Sequence, residues 1–465
     1  MSVTNIIKLS ELERDRRIDA EYYQKEFLDK MNIIMSLNSK TIRQISKSVL
    51  SFGAYSLCNY IVWRESGIPY LKAENILEGY IDFSEIMFID DNVHSILHKS
   101  QVMEEQILFS MSGTTGNAAV AYNIPLKLNS NQDIAKITLK GEYSPFYVAS
   151  FLNSRFGRFQ TEREIVGSVQ QHIFLGQIKQ LRVPLLGKEI EKKIEKTCKE
   201  GITYLSLSEK LYSQAENLLL KELGLKDFKP KYELSYIANL SNVFKVHRVD
   251  AEYFQPAYDA VFEKISDYSG GCDQLLNYVE NVKADFDPRK HADENFQYIE
   301  LADIDASIGV ISSSSKISGQ EGPSRARRIL RKDDVIVSSV EGSLEKVALI
   351  DELYEGSLAS TGFFQFRPIG ILPEVLLVLS KTIALQIQFK KECSGTILTA
   401  VPSDSLNRIL IPILPDNVQK GIASLVQQSH EAKRKAKELL KEAKRKVEDG
   451  IENLIMEAKN ESLVS

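Results

Sequence analysis

Apolar residues recur along this chain at helical and strand-like spacings in turn. Tyr23, Phe27, Met31 and Ile34 stand four, four and three apart, which predicts one apolar face of a short helix. The runs IPYLKAENI, QILFSM and DIAKITL follow, rich in β-branched and aromatic residues and set between Gly, Ser and Asn. They read as strands and turns. SPFYVASFLNSRFGRFQ reads as one helix and VPLL as a strand. Beyond them Ile190, Ile194, Thr197, Gly201, Tyr204, Ser208, Leu211, Ala215 and Leu218 alternate by four and three. That is the seam of a long helix, made ragged by Thr, Gly and Ser.

The same order then begins again. RIDAEYYQ, from Arg17 to Gln24, returns as RVDAEYFQ from Arg248, so that Asp19 and Asp250 are 231 positions apart. Phe254, Tyr258, Phe262 and Ile265 repeat the first helical face at the same spacing. Farther on the spacing is 228: Tyr70 with Tyr298, Ile107 with Val335, Pro145 with Pro373, Gly167 with Gly395, and RVPLL with LIPIL. A slip of three residues between Ile34 and Tyr70 accounts for the change. Chance similarity does not hold one spacing over such a distance, so the chain carries one module twice. The interiors diverge, SQVMEEQ against GPSRARR. A shared frame with different middles suits one task performed on two targets.

The fold class is therefore α+β: two tandem α+β domains, each followed by a long helix. The second helix has Leu440, Ala443, Val447, Ile451, Leu454 and Ala458 as its seam, within a run of strong helix formers. Helices of roughly 35 to 40 residues, about 50 to 60 Å long, need a packing partner in water. The economical expectation is that they pair with each other as an antiparallel coiled coil, with a globule at either end. The boundaries read as a lead-in helix at 1–39, a domain at 40–185, a helix at 186–228, a linker and second lead-in at 229–269, a domain at 270–414 and a helix at 415–465.

Composition changes this picture little. Hydrophobic residues at 43% and charged ones at 26% describe an ordinary globular protein. No apolar run reaches membrane-spanning length, and the first residues meet charge before any signal-type core, so a cytoplasmic protein is expected. Cys58, Cys198, Cys272 and Cys393 form no CxxC and read as free thiols. A net charge of −5 argues against an indiscriminate polyanion binder but leaves room for a local basic face.

Catalytic constellations are missing from the sequence. There is no GxxxxGK[ST], no GxGxxG, and no Asn-Pro-Pro-Tyr or Asp-Pro-Pro-Tyr of adenine methyltransferases. Glu-x-Lys triplets such as Glu442 to Lys444 fall on a solvated helix face. His94 and His98 have a spacing that suits a metal on a helix, but no third ligand is near in sequence, and no metal is expected. SGTTGN, Ser112 to Asn117, reads either as a tight turn or as a backbone cradle for phosphate. No enzyme is expected.

What remains suits nucleic acid. In the first copy the candidates are Lys72, Ser112, Thr114, Thr115, Asn117, Arg155, Arg158, Arg163, Ser168, Gln170, Gln171 and His172. In the second they are Arg325, Arg327, Arg328, Arg331, Ser343, Lys346, Lys390, Lys391 and Thr396. Gln makes paired hydrogen bonds with adenine and Arg with guanine, while Ser, Thr and Asn in turns hold phosphate. A lone arginine serves solubility equally well. The cluster PSRARR, continued by Arg331 and Lys332, is stronger and reads as a basic loop that orders on DNA.

Two modules that open on (R)(I/V)DAEY(Y/F) and close on a small-residue turn, a strand of the VPLL type and a long helix resemble the specificity subunit of type I restriction-modification systems. The segments GSVQQHIFLGQIKQLRVPLL and SGTILTAVPSDSLNRILIPILPDNVQ are similar to that family's passage from recognition domain to helix. The resemblance covers nearly the whole chain. It implies two target-recognition domains, each reading one half of a bipartite site in double-stranded DNA. The paired helices would act as ruler and as dock for two adenine methyltransferase subunits, joined by a translocating endonuclease. The chain itself would hold no cofactor, S-adenosylmethionine belonging to the partners. Alternatives are the recognition subunit of another methylation-based phage-defence or two-subunit methyltransferase system and, from a different class, a duplicated protein-binding scaffold.

Overall fold

The computed structural model describes residues 19–464 except 54, 167–170 and 397–398. The protein is mixed helix and sheet and divides into two compact units, Met1–Tyr204 with Lys435–Ser465, and Leu205–Arg434.

In the first unit a four-stranded antiparallel sheet runs Ser46–Leu50, Ile134–Leu139, Ile107–Ser110, Ala118–Val120 in spatial order. Along Ile134–Leu139 the side chains alternate between two cores. Ala135 and Ile137 face the helices Pro145–Asn153 and Arg155–Glu164, while Ile134 joins Leu71, Ala73 and Ile76 under the second sheet. With both faces covered, the run loses the apolar–polar alternation of a half-exposed strand. The second sheet orders Met87–Ile89, Ile68–Leu71 and Asn129–Ser130, the last two parallel.

The second unit repeats this frame. Its first sheet orders Val279–Asn281, Phe363–Pro368, Val335–Ser338 and Val347–Leu349. Its second orders Ser315–Ser318, Asn295–Ile299, Leu358–Ser360 and Ala326–Ile329. The pairings follow the sequence spacing closely: Tyr70 lies opposite Met87, and Tyr298 opposite Ser315, each 228 later. The path between differs from a single slip of three. Ser39 pairs with Pro184 and Cys272 with Pro412, so Ser39 and Cys272 are equivalent at a spacing of 233, which falls to 228 by Tyr70.

Two expectations need correction. The helix read through SPFYVASFLNSRFGRFQ is two, broken at Ser154, which is extended (ψ 163°) and whose side chain accepts from the Gly157 N–H. Thr382 breaks the matching helix at the equivalent position. The DAEY elements are not helices but turns ahead of the helices Lys25–Ser36 and Pro256–Ser266. They fasten each opening to its own unit. Arg163 lies 3.7 Å over the Tyr22 ring and its Nε donates to the Tyr22 carbonyl at 3.1 Å. Lys391, 228 positions on, lies 5.2 Å over Tyr253. Arg248 pairs with Asp250 and donates to the carbonyls of Lys391, Glu392 and Cys393, which close the helix Ile383–Glu392. Helix ends lack partners for their last carbonyls, and a cation there is favoured.

The long helices span Lys188–Glu222 and Asp416–Val464. In the first, the buried stripe is Ile194, Cys198, Gly201, Leu205, Ser208, Tyr212, Ala215 and Leu219. It alternates by four and three without a break. Thr197, which the sequence placed in the seam, is buried beside Cys198, whereas Tyr204, Leu211 and Leu218 were placed one residue too early. Within the first unit Lys446 Nζ donates to Thr197 Oγ1 at 2.9 Å, and a Cβ on Gly201 would lie 3.1 Å from Leu440. Within the second, the Ser208 and Ser429 hydroxyls are 3.2 Å apart, and a Cβ on Gly421 would lie 3.2 Å from Leu218. In each unit the contacts run in the antiparallel sense. Among the described residues no helix is long and apolar enough to cross a membrane.

Candidate nucleic-acid interface

Each unit builds the same small platform from a hairpin and a turn. In the first, Val166 and His172 exchange backbone hydrogen bonds of 2.9 and 3.1 Å, His172 bridges to Ser112, and Ile173 N donates to Met111 O at 3.0 Å. In the second, Ser394 and Ala400 exchange bonds of 2.9 and 3.0 Å, Ala400 bridges to Val340, and Val401 N donates to Ser339 O at 2.8 Å. Every pair is matched by its counterpart 228 positions on. The hairpins therefore enclose equal lengths, 167–171 and 395–399, with different residues: GSVQQ and GTILT. Ser168 and Gln170 lie outside the described residues. Gln171 and Thr396 are exposed, and the His172 ring meets Phe174 edge-on at 4.6 Å.

The turn SGTTGN is tight. Gly113 and Gly116 take φ of +70° and +92°, and a Cβ on Gly116 would sit 2.9 Å from both Arg158 Nη1 and Thr161 Cγ2. Ser112 is buried. Thr114 Oγ1 donates to Ala73 O at 3.2 Å, Thr115 Oγ1 to Gln171 O at 3.4 Å, and Asn117 Nδ2 to Ile76 O at 2.9 Å. These side chains help hold the turn.

Most of the cations expected at the interface are engaged within the protein. Arg155 pairs with Glu452, and its N–H donates to Glu448 at 2.8 Å. Arg158 reaches Glu78 at 3.0 Å, Asn117 Oδ1 at 2.5 Å and Thr115 O at 3.2 Å. Arg163 is buried under Tyr22. Lys72 pairs with Glu74 at 3.4 Å and Lys391 with Asp259 at 2.7 Å. Lys390 lies 3.9 Å from Glu252 and over the Tyr232 ring. Lys346 donates to Ile304 O at 3.5 Å, and the Ser343 hydroxyl meets that of Ser338 at 3.0 Å.

The cluster at 325–332 is not a loop but largely the strand Ala326–Ile329. Strand alternation sends its arginines in different directions. Arg328 is buried, donates to the Val282 carbonyl, and burial pulls its guanidinium below its ordinary range. Arg327 donates to Ser324 O and Phe286 O at 3.1 and 3.2 Å. Lys332 pairs with Glu352. Among the described candidates, Gln171, Thr396, Arg325 and Arg331 are exposed.

Sequence reading missed several buried ionisable groups. Lys136 sits inside the strand Ile134–Leu139, donates to Ser130 Oγ at 3.2 Å, and is pulled down to about 8 by burial. A lysine within an otherwise apolar run was its visible signal. Asp305 and Lys433 form a buried ion pair at 2.9 Å, beside His430, whose Nε2 meets Ile308 O at 2.9 Å. Nothing local in the sequence announces that cluster. His94 and His98 do not share a helix, because Asp91–Ile96 ends between them, and His94 Nδ1 contacts Asn129 Oδ1. Among the described residues no three His, Cys, Asp or Glu side chains gather into a metal site. The cysteines are free, Cys198 and Cys393 buried, and burial pushes the Cys198 thiol up to about 11.

No protein-family model and no curated protein matches the chain. Among solved structures it resembles type I restriction-modification S subunits. The S subunit from M. genitalium is similar over 90% of this chain and 95% of that one, at 13% identity and a TM-score of 0.43. The HsdS subunit from Thermoanaerobacter tengcongensis is similar over 90% and 96%, at 12% identity and 0.28. A chain from a study of complex assembly and conformational transition in the type I R-M system is similar over 90% and 97%, at 13% and 0.28. Likenesses of this order say nothing about activity, which has to be argued from the chain's own residues.

Proposed function

We propose that the chain is the non-catalytic DNA-specificity subunit of a type I restriction-modification complex. Each unit reads one half of a bipartite target through its hairpin and the surface around it. The long helices, paired antiparallel, set the separation and phase of the two half-sites and dock two adenine methyltransferase subunits. Those partners flip out the target adenine and methylate it with S-adenosylmethionine.

One observation carries the reading: two hairpins of equal length on equivalent platforms, with unrelated tips. A frame kept constant while the residues it carries change is what reading two different sequences requires. Gln171 can make paired hydrogen bonds to adenine, whereas GTILT offers hydroxyls and apolar contacts of the kind that meet a thymine methyl. The test is the methylated-motif profile of the source genome with and without the gene. A split motif of two short elements about a fixed gap should vanish on deletion. An unchanged profile, or loss of an undivided motif, would sink the reading.

A further inference from the structure

Between the first long helix and the second DAEY turn, the chain leaves a row of large apolar side chains in water. Leu234, Ile237, Leu240, Phe244 and Val249 are 108, 99, 65, 67 and 87% exposed. The segment is fastened at either end. Ahead of it Tyr232 packs edge-on against Tyr258 at 5.9 Å, and Gln255 exchanges hydrogen bonds of 3.2 and 3.0 Å with the Glu233 backbone. Behind it Arg248 is fixed to the end of the helix Ile383–Glu392. The helix between, Leu240–Val246, buries no residue. Seven residues do not hold a helix in water without packing, and a run of exposed large apolar side chains of this kind suits an interaction surface.

The sequence adds an independent observation. At the spacing of 231, Ile6, Leu9, Ser10 and Leu12 match Ile237, Leu240, Ser241 and Val243. The repeated module therefore begins well ahead of DAEY, with apolar positions that the second unit does not use in its own core. Residues 234–249 hold Lys245 and Arg248 and no Asp or Glu, so the strap is basic and two straps repel rather than pair.

We propose that residues 234–249 are a docking strap for a partner protein that offers an apolar groove with an acidic rim, one partner per module and two per chain. Identifying that partner as the methyltransferase rests on the function proposed above. The test uses the full chain co-expressed with the methyltransferase encoded alongside it, weighed by native mass spectrometry. The unaltered chain should carry two methyltransferase copies, and Leu240→Asp with Phe244→Asp should carry one while melting at the same temperature. Leu126→Asp, equally exposed at 101% but outside the strap, should still carry two. A strap variant that keeps both copies overturns the proposal, as does a Leu126→Asp chain that loses one. A dimer of this chain that dissolves in the strap variant overturns it in favour of self-association. An unaltered chain that carries no methyltransferase overturns the functional reading itself.

Discussion

The two units seat equivalent turns on the second long helix in opposite ways. In the first, Glu78 reaches Lys444 at 2.8 Å with the side chains 49 and 32% exposed, and also meets Arg158. In the second, Asp305 meets Lys433 at 2.9 Å with the side chains 11 and 8% exposed. His430, Lys381 and Glu216 crowd the same place: Lys381 donates to the Ala306 carbonyl, and burial pushes the Glu216 carboxyl up. One frame thus tolerates a wet contact and a dry one. A solvated ion pair adds little to stability, whereas a dry pair is unforgiving, because either charge left alone in the interior is costly.

The largest test of that contrast is Lys433→Ala, which strips Asp305 of its partner and should cost the second unit about 3–5 kcal/mol. Lys444→Ala should cost the first about 0–1 kcal/mol. The single tryptophan, Trp63, lies in the first unit beside Tyr70 and reports on it alone. In Lys433→Ala an early circular-dichroism transition should therefore precede an unshifted Trp63 fluorescence transition. Coincident shifts would erase the distinction.

Acid should separate the units more gently. Burial holds His430 below its ordinary value of 6.5, although the Ile308 carbonyl and nearby Asp351, Glu374 and Asp305 act against that. The unfolded chain takes this proton first. The contribution is thus present above pH 6.5 and is lost as the pH falls toward and through the folded value. For Asp305, burial raises the carboxyl, but Lys433 and Ser307 outweigh it and leave it lowered, with the same sign below 3.8. Glu216, raised, acts oppositely in the carboxylate range. As the pH falls from 7.5 to 5.5 the His430 contribution is lost, so the circular-dichroism transition of the second unit should move to lower temperature. The Trp63 transition should stay in place, and His430→Gln should remove the shift.

The smallest effect sharpens a contrast within one basic run. Replacing exposed Arg325 and Arg331 with Ala should leave the melting temperature unchanged and lower the slope of log affinity for DNA against log salt by about 2. Arg328→Ala, a few residues away but buried, should do the reverse: a lower melting temperature with the slope of the remaining folded protein unchanged.

What the sequence determined by itself was the duplication and the broad order of elements in each module. These follow from spacing, and a fixed offset of 228 survives because each copy solves the same local packing problem. The phase of the first long helix was misread by one residue at Tyr204, Leu211 and Leu218, since Leu218 and Leu219 are the same residue type and only the packing around the helix decides which is more deeply covered. The cations were harder still. Arg155 and Glu448 are 293 positions apart, and Arg163 and Tyr22 are 141 apart. Whether a charge faces water or a partner depends on what the fold brings beside it, and that is settled by tertiary structure because ion pairing acts over a few ångströms of space rather than along the chain.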